Sequence, residues 1–211
     1  MADLIFYTNP QSRGRIIRWM LEEVGQPYDT RIIDYADLAA EGYRNVNPMA
    51  KVPAIQHKGR TVTECAAICA YLADVFPEAE LGPRDEEKAD YYRWMFFAAG
   101  PIEAAVSNKA MGWEPTPERE RMFGYGNFER AVGVIEALLT TRDYVCGDRF
   151  TAADVYVGSQ LMFPMQFGLL DKRDSFARYA ERLQERDAYK RAGAIDDQAQ
   201  AQAQPAQPQP A

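Results

Sequence analysis

Apolar and polar residues follow two different repeats in the first part of the chain, and together they predict a mixed α/β unit over residues 1–79. The short apolar runs LIFYT (4–8) and YDTRIIDY (28–35) are typical of strands. Between them, the segment SRGRIIRWMLEEVG places its apolar residues on one helical face, and Ser12 stands in the position of an N-cap. The chain therefore begins with a β-α-β pattern.

The rest of this unit adds a short helix, a hairpin and a longer helix. Residues 37–48 predict a short helix followed by a loop. The segments VPAIQH and RTVTE flank Lys58 and Gly59, and this pair predicts a tight turn because glycine adopts a positive φ without strain. The run ECAAICAYLADVF (64–76) predicts a helix, so the expected order is β-α-β-α-β-β-α.

Helical spacing dominates beyond a predicted linker at 80–86, and we expect an all-α unit over residues 87–195. Residues 196–211 are mainly Ala, Gln and Pro, a composition that predicts a disordered tail. The predicted helices are a long one kinked near Gly100-Pro101, a second capped by Thr116 with Pro117 in its first turn, a third with a capping box of Thr151 and Asp154, and a fourth over 175–193.

Composition and charge exclude several classes of function. The 211-residue chain has a formal net charge of −7, whereas a nucleic-acid-binding protein needs a basic surface. The sequence has no apolar run of membrane-spanning length, and the segment MADLIFYTNPQSRGR lacks the pattern of a secretory signal. Three cysteines without a tight cluster favour a reducing compartment over a disulfide framework. We therefore expect a cytoplasmic protein with no nucleic-acid or membrane partner.

Pro53 interrupts a strand-like apolar run in the segment AKVPAIQH. Proline has no N–H to donate to a sheet, so Pro53 is expected at an edge, a strand start or a bulge. The Val52–Pro53 bond is also a candidate for the cis isomer. An acidic residue, Glu64, follows where the next helix is predicted to begin.

Three segments, taken in order, resemble the cytosolic glutathione S-transferase family: NPMAKVPAI, TECAAICAYL and GDRFTAADV. The resemblance is to the bacterial-type, Ser-like class, and only the Ala/Gln/Pro tail lies outside it. It implies a thioredoxin-like N-terminal domain followed by an all-helical C-terminal domain. It also implies a homodimer that uses glutathione as a co-substrate and carries no prosthetic group.

The resemblance implies a glutathione site around Pro53. The family places a cis-proline there, so the backbone of Val52 is expected to pair with the cysteinyl backbone of glutathione by strand addition. Glu64 and Cys65 are expected to meet the γ-glutamyl end, and Lys51 a carboxylate. Cys65 departs from the serine that is usual in the family. The alternatives are an ordinary edge-strand proline, a solvated lysine and a glutamate that only favours the helix dipole.

The family activates the glutathione thiol with a donor near the start of the first helix, and the segment FYTNPQSRGR offers three candidates. Ser12 is the leading candidate, Asn9 is a rival under a different alignment, and Tyr7 is a weaker rival because its side chain can face the core. Ser12 can also be a plain N-cap. Residues 8–15 contain no cysteine, which disfavours the thiol-transferase branch of the family.

The second substrate is expected to be a small, often apolar electrophile. The first long helix of the all-α unit and the residues further along it offer apolar side chains that could line a site for this substrate. Aromatic residues at helical spacing more often belong to a core. We expect His57 to face solvent, Cys69 and Cys146 to be buried structural thiols, and no metal site, because no other ligands converge on the cysteines. The candidate lining residues are Trp94, Phe97, Met111 and Trp113.

The expected function is a detoxifying glutathione transferase that joins the glutathione thiolate to an electrophilic carbon. One alternative is a glutathione-dependent peroxidase, reductase or isomerase on the same fold. Another is a non-catalytic binding module, because the fold is also used for such roles.

Overall fold

The computed structural model describes residues 2–203, which divide into two compact units. The first unit comprises residues 2–68 together with 186–203, and the second comprises residues 69–185. The last residues of the predicted tail, 204–211, lie outside the described part of the chain.

A mixed sheet of four strands forms the centre of the first unit, with the strand order β2-β1-β3-β4. Strand β1 pairs parallel with β2 and antiparallel with β3, and β3 pairs antiparallel with β4. The predicted hairpin turn is confirmed, since Lys58 and Gly59 have φ values of 49° and 75°. The strands are Leu4–Thr8 (β1), Asp29–Ile32 (β2), Ala54–His57 (β3) and Arg60–Thr63 (β4).

Helices fill the remainder of the described chain, and the predicted order β-α-β-α-β-β-α is confirmed ahead of a helical second unit. The α-helices are Gly14–Val24 (α1), Glu41–Arg44 (α2), Cys65–Val75 (α3), Lys88–Phe97 (α4), Glu103–Ala110 (α5), Phe128–Thr141 (α6), Ala152–Gln166 (α7), Asp174–Gln184 (α8) and Asp187–Ala203 (α9). None of the helices within residues 2–203 combines the length and the apolar character that crossing a membrane requires.

Helix α1 buries an apolar face within the first unit and ends where the sequence predicts. Ile17, Met20 and Leu21 are buried, as is expected of a helix with one apolar stripe. Gly25 follows in a left-handed conformation with φ 70°, and its N–H donates to the carbonyl of Leu21. This is a common way to satisfy the last carbonyls of a helix.

Helix α9 differs from the expected end of the chain. The sequence predicts one helix over 175–193 and disorder from residue 196, whereas the structure breaks the helix after Gln184 and continues α9 to Ala203. The physical reason is long-range: α9 packs along α1, and Asp196 forms a buried ion pair with Arg18. The contacts with α1 therefore stabilise the end of α9 although this segment has few apolar residues, and composition alone does not reveal such contacts.

The second unit contains the predicted kink and the predicted capping box. Helices α4 and α5 are joined by a π-helical turn, Ala98–Ile102, that contains Pro101 and accommodates its missing N–H. At the start of α7, the Asp154 side chain accepts from the backbone N–H of Thr151, and Thr151 Oγ1 lies 3.0 Å from Asp154 Oδ2. Both sequence predictions are confirmed.

The predicted cap at Thr116 is wrong. The chain forms only a turn and a short 3₁₀ segment, Glu120–Met122, before α6 begins at Phe128. Gly126 has φ 69°, which interrupts a helix, and the side chain of Asn127 then caps α6 by accepting from the N–H of Arg130. A proline after a threonine resembled a helix start, but the glycines that follow prevent the helix from continuing.

His57 is buried, so the expectation that it faces solvent is wrong. Its residue surface is 4 % exposed, because His57 is the last residue of β3 and pairs with Leu4 of the central strand. Burial lowers the pKa of the imidazole, which favours the neutral ring.

Candidate active site

The loop between β1 and α1 is fixed by the side chain of Asn9. Its Nδ2 donates to the carbonyl of Ile33 at 3.0 Å, and its Oδ1 accepts from the N–H of Gln11 at 2.9 Å. Asn9 is only 7 % exposed. Both ends of the amide are therefore committed to holding this loop beside the sheet.

Ser12 lies one turn further along, directly before α1. Its hydroxyl donates to the carbonyl of Asn9 at 2.7 Å and accepts from the N–H of Gly14 at 2.9 Å. Ser12 is half-buried. The hydroxyl therefore binds the first N–H of the helix, and its proton can be redirected to an anion only by leaving the Asn9 carbonyl.

Gly14 allows α1 to approach the end of β1 closely. A Cβ atom at this position would lie 1.9 Å from Oγ1 of Thr8 and 3.0 Å from Oγ of Ser12. Thr8 is fully buried, so its side chain has little room to move away. The absence of a side chain at Gly14 thus keeps Ser12 at the helix start.

Tyr7 is oriented by a partner within the sheet. Its hydroxyl donates to Oε1 of Gln56 at 2.8 Å, and its ring lies 6.0 Å from the ring of Tyr43. This contact holds the phenol against the neighbouring strand β3.

Pro53 follows a cis peptide bond with Val52, as the sequence predicts. Lys51 is exposed, and its backbone carbonyl accepts from the hydroxyl of Tyr43 at 2.6 Å and from Nδ2 of Asn47 at 2.7 Å. The segment that leads into β3 is therefore attached to the interior of the unit through one carbonyl group.

The N-terminal ends of α1 and α3 meet on this unit. Sγ of Cys65, the first residue of α3, lies 3.9 Å from the carbonyl oxygen of Arg13, which precedes α1. Glu64 is exposed and has φ 65°, a backbone conformation that is uncommon for a residue with a side chain. The positive ends of two helix dipoles lie at one place, and together they create a potential that favours anions.

Comparison with known proteins gives the same family that the motifs indicate. The model of the glutathione S-transferase N-terminal domain matches residues 13–75. Glutathione S-transferase 3 of Schizosaccharomyces pombe is 27 % identical over 181 residues, which cover 77 % of this chain and 73 % of that protein. GstA, a glutathione S-transferase of Escherichia coli O157:H7, is 27 % identical over 173 residues, which cover 79 % of this chain and 85 % of that protein.

The chain is similar to glutathione S-transferases over most of its length, and residues 13–75 match the N-terminal domain of that family.

A solved structure of a theta class glutathione S-transferase from the citrus canker pathogen Xanthomonas axonopodis pv. citri has the same fold. Its TM-score is 0.71 at 24 % identity, and the match covers 91 % of this chain and 97 % of that one. Glutathione is bound in that structure. Glutathione is the co-substrate of the glutathione S-transferase family.

The residues that the sequence offers for an electrophile site fall into two groups within the helical unit. Trp94 is 3 % exposed and contacts the half-buried Phe97 edge to face, with ring centroids 5.6 Å apart. Met111 and Trp113 follow α5 and are 84 % and 44 % exposed. The first pair thus lies largely within the helical core, whereas the second pair presents apolar surface.

Tyr43 and Asn47 hold the segment that leads into Pro53, and the sequence analysis does not identify them. Asn47 opens the quoted segment NPMAKVPAI, but its contact with Lys51 depends on the fold of the intervening turn. Tyr43 lies in α2, and no local pattern links its hydroxyl to a carbonyl beyond the next loop.

Proposed function

We propose that this protein is a cytoplasmic, homodimeric glutathione transferase that joins the glutathione thiolate to small electrophiles, many of them apolar. The observation that carries the proposal is the meeting of the N-termini of α1 and α3 on the unit that contains the cis Val52–Pro53 bond. Glutathione is an extended tripeptide with a net negative charge. This arrangement offers backbone groups for its main chain and positive helix ends for its anionic groups.

In the proposed complex, Val52 binds the cysteinyl backbone, and the α3 N-terminus binds the γ-glutamyl carboxylate with help from Cys65. Glu64 pairs with the γ-glutamyl ammonium, and the exposed side chain of Lys51 reaches a carboxylate. Pro53 shapes the start of β3, beside which the ligand lies in the proposed complex.

Ser12 is the proposed activator of the thiol. Its hydroxyl leaves the Asn9 carbonyl and donates to the developing thiolate, and the positive end of α1 adds to the stabilisation of the negative sulfur. Asn9 is a poorer candidate in this fold because its side chain is only 7 % exposed and both ends of its amide hold the loop. Tyr7 is likewise engaged, since its hydroxyl donates to Gln56.

The chemical step is a nucleophilic substitution. The thiolate sulfur forms a bond to the electrophilic carbon, and the leaving group departs with the electron pair of the bond that breaks. The protein holds the two reactants together and keeps the sulfur deprotonated near neutral pH. The surface around Met111 and Trp113 is the proposed region for the electrophile.

A titration of the thiolate absorbance of bound glutathione tests this proposal. We expect a thiol pKa well below that of free glutathione in the wild type, loss of most of that shift in Ser12→Ala, and partial recovery in Ser12→Thr. Ser107→Ala, a change of an exposed serine in α5, is the matched control. A wild-type protein that binds no glutathione overturns the transferase proposal, and an unchanged pKa in Ser12→Ala overturns the role of Ser12.

A further inference from the structure

Two buried side chains converge on the backbone carbonyl of Lys51. The Tyr43 hydroxyl and Nδ2 of Asn47 lie 2.6 Å and 2.7 Å from that oxygen. Tyr43 and Asn47 are 5 % and 3 % exposed, so water does not compete freely for the carbonyl. A single peptide group is therefore held by two short hydrogen bonds from the interior.

Because the carbonyl of Lys51 is held in place, the direction of the Val52 N–H is fixed as well. The oxygen of Lys51 and the N–H of Val52 belong to the same peptide group, which is trans and planar, so the two point in opposite directions. Because the oxygen faces Tyr43 and Asn47, the N–H faces away from them. No acceptor within residues 2–203 binds the Val52 N–H.

The two donors are themselves fixed by the turn that separates them. The carbonyl of Tyr43 accepts from the N–H groups of Val46 and Asn47 at 2.8 Å and 2.9 Å. Oδ1 of Asn47 accepts from the N–H of Met49 at 3.0 Å. Ala50 then adopts φ 53°, and its N–H donates back to the carbonyl of Asn47. The turn is thus built around the same asparagine that reaches Lys51.

The ionisation state of Tyr43 suits the role of a donor. Burial is the main cause that raises its pKa to about 12, so the phenol keeps its proton over the physiological range. A protonated phenol can donate to the carbonyl at every pH at which a glutathione transferase works.

We propose that Tyr43 and Asn47 are positioning residues that aim the Val52 N–H at the cysteinyl carbonyl of glutathione. This inference rests on the proposed function and deepens it. Neither side chain touches the ligand in the proposed complex. They act through the Lys51–Val52 peptide, so that its rotation is restricted before glutathione arrives and binding does not have to order it.

Tyr43→Phe and Asn47→Asp test the proposal. The first removes one donor without changing the ring. The second keeps an oxygen for the Met49 N–H but replaces the Nδ2 donor with a carboxylate oxygen. We expect each variant to weaken binding of S-methylglutathione, which has no free thiol, by about 3- to 10-fold, the range that one hydrogen bond produces. The KM for glutathione should rise by the same factor, while kcat and the bound-thiol pKa stay near wild type.

Two controls match these changes in chemistry. Tyr91→Phe also removes a buried hydroxyl, but one that has no hydrogen-bond partner in the described residues. Asn45→Asp places the same new charge on the same turn, at an exposed side chain. Both should bind S-methylglutathione with wild-type affinity.

The NMR signal of the Val52 amide gives a direct readout. In wild-type protein labelled with ¹⁵N-valine, S-methylglutathione should shift this signal strongly, and the shift should shrink in Tyr43→Phe and Asn47→Asp. Wild-type affinity in both variants, or an equal loss in the controls, overturns the inference and leaves the proposed function standing. A wild type that binds neither glutathione nor S-methylglutathione overturns both.

Discussion

Arg18 of α1 and Asp196 of α9 form an ion pair that is shielded from water, with Nε 3.1 Å from Oδ1 and side chains 2 % and 1 % exposed. The two side chains differ in their remaining hydrogen bonds. Arg18 also donates to the hydroxyls of Tyr28 and Thr30, at 3.0 Å and 2.8 Å. Oδ2 of Asp196 has no partner within the described residues. Burial is the main cause that raises the pKa of Asp196, and Arg18 opposes the rise.

Removing one member of this pair should destabilise the protein more than removing both. Arg18→Met leaves a buried carboxylate without its cation, and Asp196→Leu leaves a buried guanidinium without its anion. We expect each to lower the free energy of unfolding by about 3 to 5 kcal/mol, and the double variant to lose less than either single variant. Equilibrium denaturation in urea measures all three.

An exposed pair between the same helices is the control for this cycle. Asp197 pairs with Arg15, and their side chains are 69 % and 39 % exposed. Asp197→Ala should therefore change the free energy of unfolding by at most about 0.5 kcal/mol, since solvent screens such pairs. A double variant whose loss equals the sum of the single losses would contradict coupling between Arg18 and Asp196.

The helical structure of residues 196–203 could not be predicted from the sequence. Residues 196–203 have little apolar bulk, and an isolated helix of that composition is marginal in water. Four ion pairs and a ring contact join α9 and its preceding residue to α1, and their partners are far apart in the sequence. They are Arg15–Asp197, Arg18–Asp196, Glu22–Arg191 and Glu23–Arg186, together with Trp19–Tyr189.

Gly14→Ala should be destabilising although it raises helix propensity. The new Cβ would lie 1.9 Å from Thr8 Oγ1, so either the helix start or the strand end must shift. We expect a loss of about 1 to 3 kcal/mol in the free energy of unfolding and weaker activation of bound glutathione, because Ser12 must move with the helix.

Gly133→Ala provides the matched control for Gly14. Gly133 lies within α6, and a Cβ there meets no atom within 4 Å. This variant should be more stable than wild type by about 0.5 to 1 kcal/mol, since alanine favours the helix. Similar stability changes for both variants would refute the close approach at Gly14.

Asn127→Ala should cost about 1 kcal/mol or more, because it removes the cap of α6 and its bond from the Arg130 N–H at 2.8 Å. Thr116→Ala, at the position that the sequence favoured as a cap, should change stability by at most about 0.5 kcal/mol. Thermal denaturation of the two variants decides between the two helix starts. A larger loss at Thr116 would show that the helix begins there.

Short sequence patterns predict those features of the candidate site that neighbouring residues determine. A proline is unusual in a strand-like run and so marks Pro53, and a glycine that adopts a positive φ without strain predicts the Lys58-Gly59 turn. The contacts of Tyr43 and Asn47 were not predicted, because a hydrogen bond to a main-chain carbonyl imposes no pattern on the sequence of the acceptor. The sequence offers Asn9 as a rival donor, and the fold adds that both ends of its amide hold the loop.

Asp154 should make stability depend on pH. Burial raises the pKa of this carboxyl to about 6 in the folded protein, although hydrogen bonds from Val145, Thr151 and Tyr179 oppose the rise. The unfolded value is about 3.9, so between those values the folded state holds a proton that the unfolded state releases. The resulting stabilisation is complete below about pH 4 and is lost as the pH rises through about 6.

The comparison with Asp154→Asn isolates this effect, because asparagine does not titrate. The stability of wild type relative to the variant should fall by about 2 to 3 kcal/mol between pH 4 and pH 7, since each unit of pKa shift corresponds to about 1.4 kcal/mol. Urea denaturation at several pH values measures the difference. A difference that is constant with pH, or that grows as the pH rises, would show that the pKa of Asp154 is not raised.

Cys65→Ser should tighten the binding of S-methylglutathione. The thiol of Cys65 is a weak donor, and Sγ lies 3.9 Å from the Arg13 carbonyl, which is a long contact. A hydroxyl at the same place donates a stronger, charge-assisted bond to the γ-glutamyl carboxylate, and we expect a gain in affinity of about 2- to 5-fold. Calorimetric titration of the ligand measures it.

Cys69→Ser separates this local effect from a general effect of serine in α3. Cys69 is fully buried one turn later, so serine there should lower stability by about 1 to 3 kcal/mol and leave the affinity unchanged. Cys65→Ala should bind with affinity near wild type, because little is lost with a weak donor. If Cys65→Ser binds no more tightly than Cys65→Ala, then the side chain at this position does not meet the carboxylate, and the γ-glutamyl end is held by backbone N–H groups alone.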